Sequence, residues 1–235
     1  MEKKNKIFVI SLIVLILAVV GVAIYIICNN KKEENLDAKK FQNEYMELNG
    51  KEIYGFKYVE VDISENNTVK YVNEEEVVEL LENGSGIIYF GFATCPWCRS
   101  LVTTLTKVAE EKKETIYYLD ISNIRSKFEI KDGKLNKVSE GTKGYYEILR
   151  VLDNELEQYY LTENDKKYDT NEKRLYAPTL VAVKDGEIKS MHVDTVESQK
   201  SGFDKLTDEQ KAELRKIIED LIDSKNYEIC TQDRC

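Results

Sequence analysis

The sequence predicts an α/β domain with a helical insert, preceded by one transmembrane helix. Three observations carry that expectation. Strand-like and helix-like segments alternate between Lys57 and Ile121, the run GIIYFGF (Gly86–Phe92) is apolar throughout, and Ile7 to Cys28 form an unbroken apolar stretch. Strand, helix, strand alternation is the pattern of parallel crossover units, whose strands are buried on both faces.

Length and composition bound the reading. A chain of 235 residues accommodates one mid-sized domain with a full core, plus attachments. A net charge of -9 and a sequence pI near 5.0 exclude a nucleic-acid binder, which needs a basic stripe. A hydrophobic fraction of 42% with fifteen tyrosines supplies a packed core and excludes wholesale disorder.

The elements follow in order. Residues 1–6 are expected as a cytoplasmic N-terminus and Ile7 to Cys28 as an uncleaved anchor, since about 20 apolar residues span a bilayer as a helix. The run ends Tyr25-Ile26-Ile27-Cys28, without the small-residue exit of a cleaved signal peptide, and Ile27 disfavours lipidation of Cys28. Lysines flank both ends, so charge alone does not orient the span. A long domain translocates largely regardless of flanking charge, and five cysteines suit an oxidising compartment. The expected placement is a single-pass cell-membrane protein with its large domain extracytoplasmic.

Residues 29–55 read as a polar stalk with a short helix at Asp37 to Leu48. The domain is expected over 56–224. KYVEVDI (Lys57–Ile63) alternates as a half-buried strand does, and NEEEVVELLENG reads as a helix capped by Asn73 and stopped by Gly84. After GIIYFGF, the segment Ser100–Lys113 places Leu101, Val102, Leu105, Val108 and Ala109 on one stripe, and TIYYLDI (Thr115–Ile121) is another strand. Residues 123–175 break the rhythm and are expected as an insert. Its helical stripe is Tyr145, Ile148, Leu149, Leu152, Leu156 and Tyr159, and its charged stretch Glu163–Lys173 is expected as solvated surface. PTLVAVKDGEIKSMHV (Pro178–Val193) is a hairpin around Asp185-Gly186, and Thr207 with Gln210 forms a capping box for a closing helix. Residues 225–235 form a cysteine-containing tail.

The chemistry concentrates in GFATCPWCRS (Gly91–Ser100). Cys95 follows a buried strand, and Pro96 suits the first helical position, where its missing N–H is no loss. Unpaired N–H groups and the helix dipole at that position stabilise a thiolate, lowering a cysteine pKa from about 8.5 towards about 3.5–7.5. Cys98 lies one turn along, on the side of Leu101 and Val102, and is expected as the buried resolving thiol. Cys95 and Cys98 are thus the candidate catalytic pair, with Trp97 as a flat apolar contact and Arg99 as a nearby cation.

Strand, C-x-x-C at a helix start, strand, then a proline opening a hairpin resembles the thioredoxin superfamily, in CPWC and in APTLVAVKDGEI alike. The resemblance implies a three-layer sandwich, a cis Ala177-Pro178 bond facing the dithiol, and a substrate surface made of Pro96, Trp97, Ala177 and Pro178. A membrane-anchored domain of this layout is similar to the bacterial bacteriocin transport accessory proteins. It departs from thioredoxins in one respect: many of them carry a buried acid six residues before the first cysteine, and here Tyr89 stands there. Tyr89, water or Glu60 would have to take over its proton transfer.

Thiol–disulfide exchange is therefore the expected activity, with a disulfide-containing secreted protein or peptide as substrate, an unidentified redox partner, and no cofactor or metal. Oxidase and reductase directions both stay open. A non-catalytic accessory of a peptide export system is the alternative. Cys230 and Cys235 are expected as a small disulfide stapling the tail, with an electron relay to the dithiol as a second reading. A zinc site from Cys95, Cys98, Cys230 and Cys235 is the weaker rival. Cys28 is expected to be inert, and His192 an ordinary hairpin residue.

Overall fold

Both faces of the apolar run at Gly86–Gly91 are covered, and the rest of the molecule is arranged around that fact. The computed structural model describes residues 13, 15–22, 36–53 and 55–226. In chain order the elements of the domain are α1 (residues 36–46), β1 (Glu52–Ile53), β2 (Phe56–Lys57), β3 (Val69–Tyr71), α2 (Glu74–Asn83), β4 (Gly86–Gly91), α3 (Pro96–Lys112) and β5 (Ile116–Asp120). They continue with β6 (Lys127–Lys131), β7 (Lys134–Ser139), α4 (Lys143–Val151), β8 (Gln158–Glu163), β9 (Lys166–Lys173), β10 (Thr179–Lys184), β11 (Glu187–Val193) and α5 (Asp208–Ser224).

The central sheet is five-stranded and mixed, in the order β11-β10-β4-β5-β3. β3, β4 and β5 run parallel, and β10 is antiparallel to both β4 and β11. Alternation along β4 divides the core in two. Ile87 and Tyr89 pack with Phe41 and Tyr45 of α1, Leu101 and Leu105 of α3, and Leu214 and Ile218 of α5. Ile88 and Phe90 pack on the opposite face with Val77 and Leu81 of α2 and Tyr145 and Ile148 of α4. Helix ends follow local chemistry: capping boxes start α2 (Asn73 with Glu76) and α5 (Thr207 with Gln210). Asp185 and Gly186, both at positive φ, make the β10–β11 turn.

Several expectations are corrected. Of the stretch Ile7 to Cys28, only residues 13 and 15–22 are described, and these are helical. Among the described residues no helix is long and apolar enough to cross a membrane. The transmembrane helix, and the single-pass cell-membrane placement with an extracytoplasmic domain derived from it, are therefore not supported.

The helix expected within a stalk is α1, and it belongs to the core: Phe41 and Tyr45 are fully buried. Val59 to Ile63 alternate in burial as expected but pair with no strand, and Tyr58 is buried out of that phase. Side chains take the place of a neighbouring strand there. Asn49 receives the Val61 N–H at 2.9 Å and donates to the Val61 carbonyl at 2.8 Å, and Gln42 donates to the Ile63 carbonyl at 2.8 Å. The edge strand of the sheet is β3 instead.

The insert is also more than a helix. Two hairpins, β6–β7 and β8–β9, flank α4, which stops at Val151 before a single 3₁₀ turn at Asp153–Glu155. The stripe from Tyr145 to Leu156 is buried, but Tyr159 lies in β8. Most side chains of these strands face solvent, and only β6 (KFEIK) shows the apolar alternation that marks a half-buried strand. The Asp132-Gly133 and Asn164-Asp165 pairs, all at positive φ, are the turn signals left in the sequence.

Candidate active site

The buried strand β4 delivers the chain to a tight turn, closed by the Cys95 N–H on the Phe92 carbonyl at 3.1 Å, and α3 starts at Pro96. Cys95 is the N-cap, and its sulfur accepts the Cys98 N–H at 3.3 Å. Cys98 is fully buried, whereas Cys95 retains 6% exposure, and both are thiols. The two sulfurs are thereby unequal. The Cys95 pKa is lowered, first by a hydrogen bond from the Cys98 thiol, against burial, and further by the Cys98 and Trp97 N–H groups and the Arg125 guanidinium. The Cys98 thiol is pushed well above its usual range, first by burial and then by the hydrogen bond and charge of Cys95. One thiol is prepared to ionise and the other to hold its proton.

The opposite wall comes from the start of β10. The Ala177-Pro178 bond is cis, and the Ala177 carbonyl lies 3.4 Å from the Cys95 sulfur. Ala177 and Trp97 are half-buried beside the dithiol, Pro178 is buried, and Tyr176 is exposed. Pro96, Trp97, Ala177 and Pro178 thus lie around Cys95. The loop between β11 and α5 backs the helix start: a side chain at Gly202 would approach the Pro96 and Trp97 backbone to within 2.8–3.0 Å. Gln199 and the Gly202 carbonyl hold Ser100 on the same loop.

Two assignments change. Arg99 does not serve the thiolate. Its guanidinium is buried and committed to the Val59 carbonyl (2.9 Å), the Tyr45 carbonyl (2.7 Å) and Asn49 (2.7 Å), so it clamps α3 to α1 and to the unpaired extended segment. The cation acting on Cys95 is Arg125, over the Phe92 ring at 5.2 Å. Arg125 sits in an irregular stretch after β5, where no motif marks it. Glu60 is exposed. Tyr89 is fully buried beneath the dithiol, and its hydroxyl meets that of Tyr45 at 2.8 Å. Tyr45 was not singled out by sequence; the stripe Phe41, Tyr45, Leu48 was the available signal. His192 bonds the Thr195 carbonyl at 2.8 Å.

Cys28, Cys230 and Cys235 lie outside the described residues, so the tail disulfide, the relay to it and the four-cysteine zinc set do as well. Fold and site together define a mixed α/β domain with an asymmetric dithiol at a helix start. The chain matches no family model, and no curated protein matches it significantly.

Proposed function

We propose that this protein is a thiol–disulfide oxidoreductase that exchanges disulfides with a protein or peptide. The observation carrying this reading is the inequality of the two thiols: an N-cap Cys95 favouring the thiolate, directly above a Cys98 sealed from solvent. Resemblance of CPWC and APTLVAV to the thioredoxin superfamily supports it.

Cys95 thiolate attacks one sulfur of a substrate disulfide, forming a mixed disulfide and expelling the other sulfur as a thiolate. Cys98 then loses its proton and attacks the Cys95 sulfur. The Cys95–Cys98 disulfide forms, and the second substrate sulfur leaves. Two electrons pass from the dithiol to the substrate, and the reverse sequence oxidises a substrate dithiol. Ala177 offers a backbone carbonyl beside the reacting sulfur, and Trp97 an apolar face, for an extended substrate segment.

Cys98→Ser tests the reading, because a mixed disulfide on Cys95 then has no internal route to resolution. Covalent adducts on Cys95, lost in Cys95→Ser, are expected in cells. An empty trap with unimpaired function refutes the exchange reading and leaves the non-catalytic accessory. Alkylating the native protein in place then tells oxidase from reductase by the state of the dithiol.

A further inference from the structure

Cys98 must lose a proton to become a nucleophile, yet it has no exposure to solvent. Bulk water does not reach that proton, so it must leave through the interior of the site. Tyr89 is buried in the same core cluster as Cys98, and each perturbs the other's ionisation. The Tyr89 hydroxyl is held 2.8 Å from the Tyr45 hydroxyl, with both side chains fully buried. Tyr118 continues the path: its ring stacks on Tyr89 at 5.2 Å and meets the Tyr45 ring edge-on at 6.4 Å, and its hydroxyl donates to Glu44 at 3.3 Å. Tyr71 donates to the other Glu44 oxygen. Glu44 is half-buried at the end of this file of hydroxyls, with Lys40, Asp120 and Tyr71 as its charged or titratable neighbours.

We propose that Tyr89, Tyr45 and Tyr118 form a hydroxyl relay that carries the Cys98 proton to Glu44 when Cys98 resolves the mixed disulfide. The relay rests on the exchange chemistry proposed above. Each hydroxyl is donor and acceptor, so it takes a proton on one side while passing its own on the other. Burial holds Tyr45 and Tyr89 far from ionisation, so the protons shift together and no phenolate accumulates. Cys98 gives up H⁺ and forms the bond to Cys95, the substrate sulfur leaves as a thiolate with the electron pair of the broken bond, and the Glu44 carboxylate receives the proton and returns it to water. Burial, its largest influence, raises the Glu44 pKa and makes it a better acceptor. Tyr89 is the member that takes the proton from Cys98. Tyr45, Tyr118 and Glu44 act through it.

The full-length reduced protein, mixed with glutathione disulfide and quenched in acid, reports two steps by mass: glutathionylation of Cys95 and its resolution by Cys98. Tyr89→Phe is expected to slow resolution at least tenfold relative to the first step, and Glu44→Gln, which leaves the buried tyrosines intact, to slow it severalfold. Wild-type resolution should slow in D₂O with a curved dependence on deuterium fraction, and that curvature should vanish in Tyr89→Phe. A change in packing alone would not produce that signature. Wild-type resolution rates in both variants, or a linear dependence in the wild type, overturn the relay. Because glutathione replaces the biological substrate, an empty Cys98→Ser trap alongside slowed variants sinks the exchange function and leaves the relay standing. Unaffected variants alongside trapped partners do the reverse.

Discussion

Replacing Gly91 with alanine tests how the strand beneath the dithiol is packed. Tyr89 and Gly91 point to the same face of β4, and the tyrosine ring folds across the glycine. A methyl at Gly91 would lie 2.4 Å from the Tyr89 hydroxyl oxygen and 2.5–2.7 Å from two ring carbons. Gly91 is not at positive φ, so the backbone accepts alanine and the whole cost falls on the ring. Overpacking costs about 1–3 kcal/mol. Displacing the ring also breaks the Tyr45–Tyr89 hydrogen bond and leaves a buried hydroxyl unpaired, at about 1–3 kcal/mol. Gly91→Ala is therefore expected to destabilise the domain by about 2–6 kcal/mol, read by urea unfolding followed through far-UV circular dichroism. Tyr89→Leu removes the atoms that the methyl would strike. In the double variant the methyl enters vacated space, and the combined loss should fall short of the sum by at least ~1 kcal/mol. A loss below about 1 kcal/mol in Gly91→Ala, or strict additivity in the double variant, refutes the packing argument.

Arg125→Met removes the cation that helps hold Cys95 ionised, so the Cys95 pKa rises. Iodoacetamide labelling of Cys95 should then follow a pH curve displaced to higher pH, with less thiolate at pH 7; a curve unmoved, or moved to lower pH, assigns the thiolate to the helix start alone. Arg99→Ala leaves the Val59 and Tyr45 carbonyls and Asn49 without a charged donor, and should cost about 3–5 kcal/mol of unfolding free energy. Arg99→Lys should recover only part of that, because one ammonium lacks the planar fork that serves all three acceptors, and the Arg99→Lys labelling curve of Cys95 should match the wild type.

What was legible from residues alone was local. Strand, Pro96 and helix stand in immediate succession, so the placement of Cys95 on a helix N-terminus and of Cys98 one turn behind it follows from covalent connection and a 3.6-residue period. The capping boxes and the Asp185-Gly186 turn are equally short-range. Solvated segments were the weak point. The insert hairpins carry few buried side chains, and the alternation of KFEIK in β6 and the turn residues are the marks of their shape.

Long-range partners are another matter, because they depend on which surfaces meet after the chain closes. Helix α1 looks like part of a stalk until Phe41 and Tyr45 are seen against β4, and KYVEVDI looks like a sheet strand until Asn49 is seen satisfying its backbone. Apolar length alone suggested a membrane helix, and no described helix meets that requirement. Arg99 and Arg125 are indistinguishable by type; packing turns the first into a clamp and places the second on the thiolate. Most of all, the Tyr45–Tyr89 contact joins residues 44 positions apart. The dithiol is a property of four consecutive residues, whereas the path for its proton exists only where α1, β4 and β5 pack together.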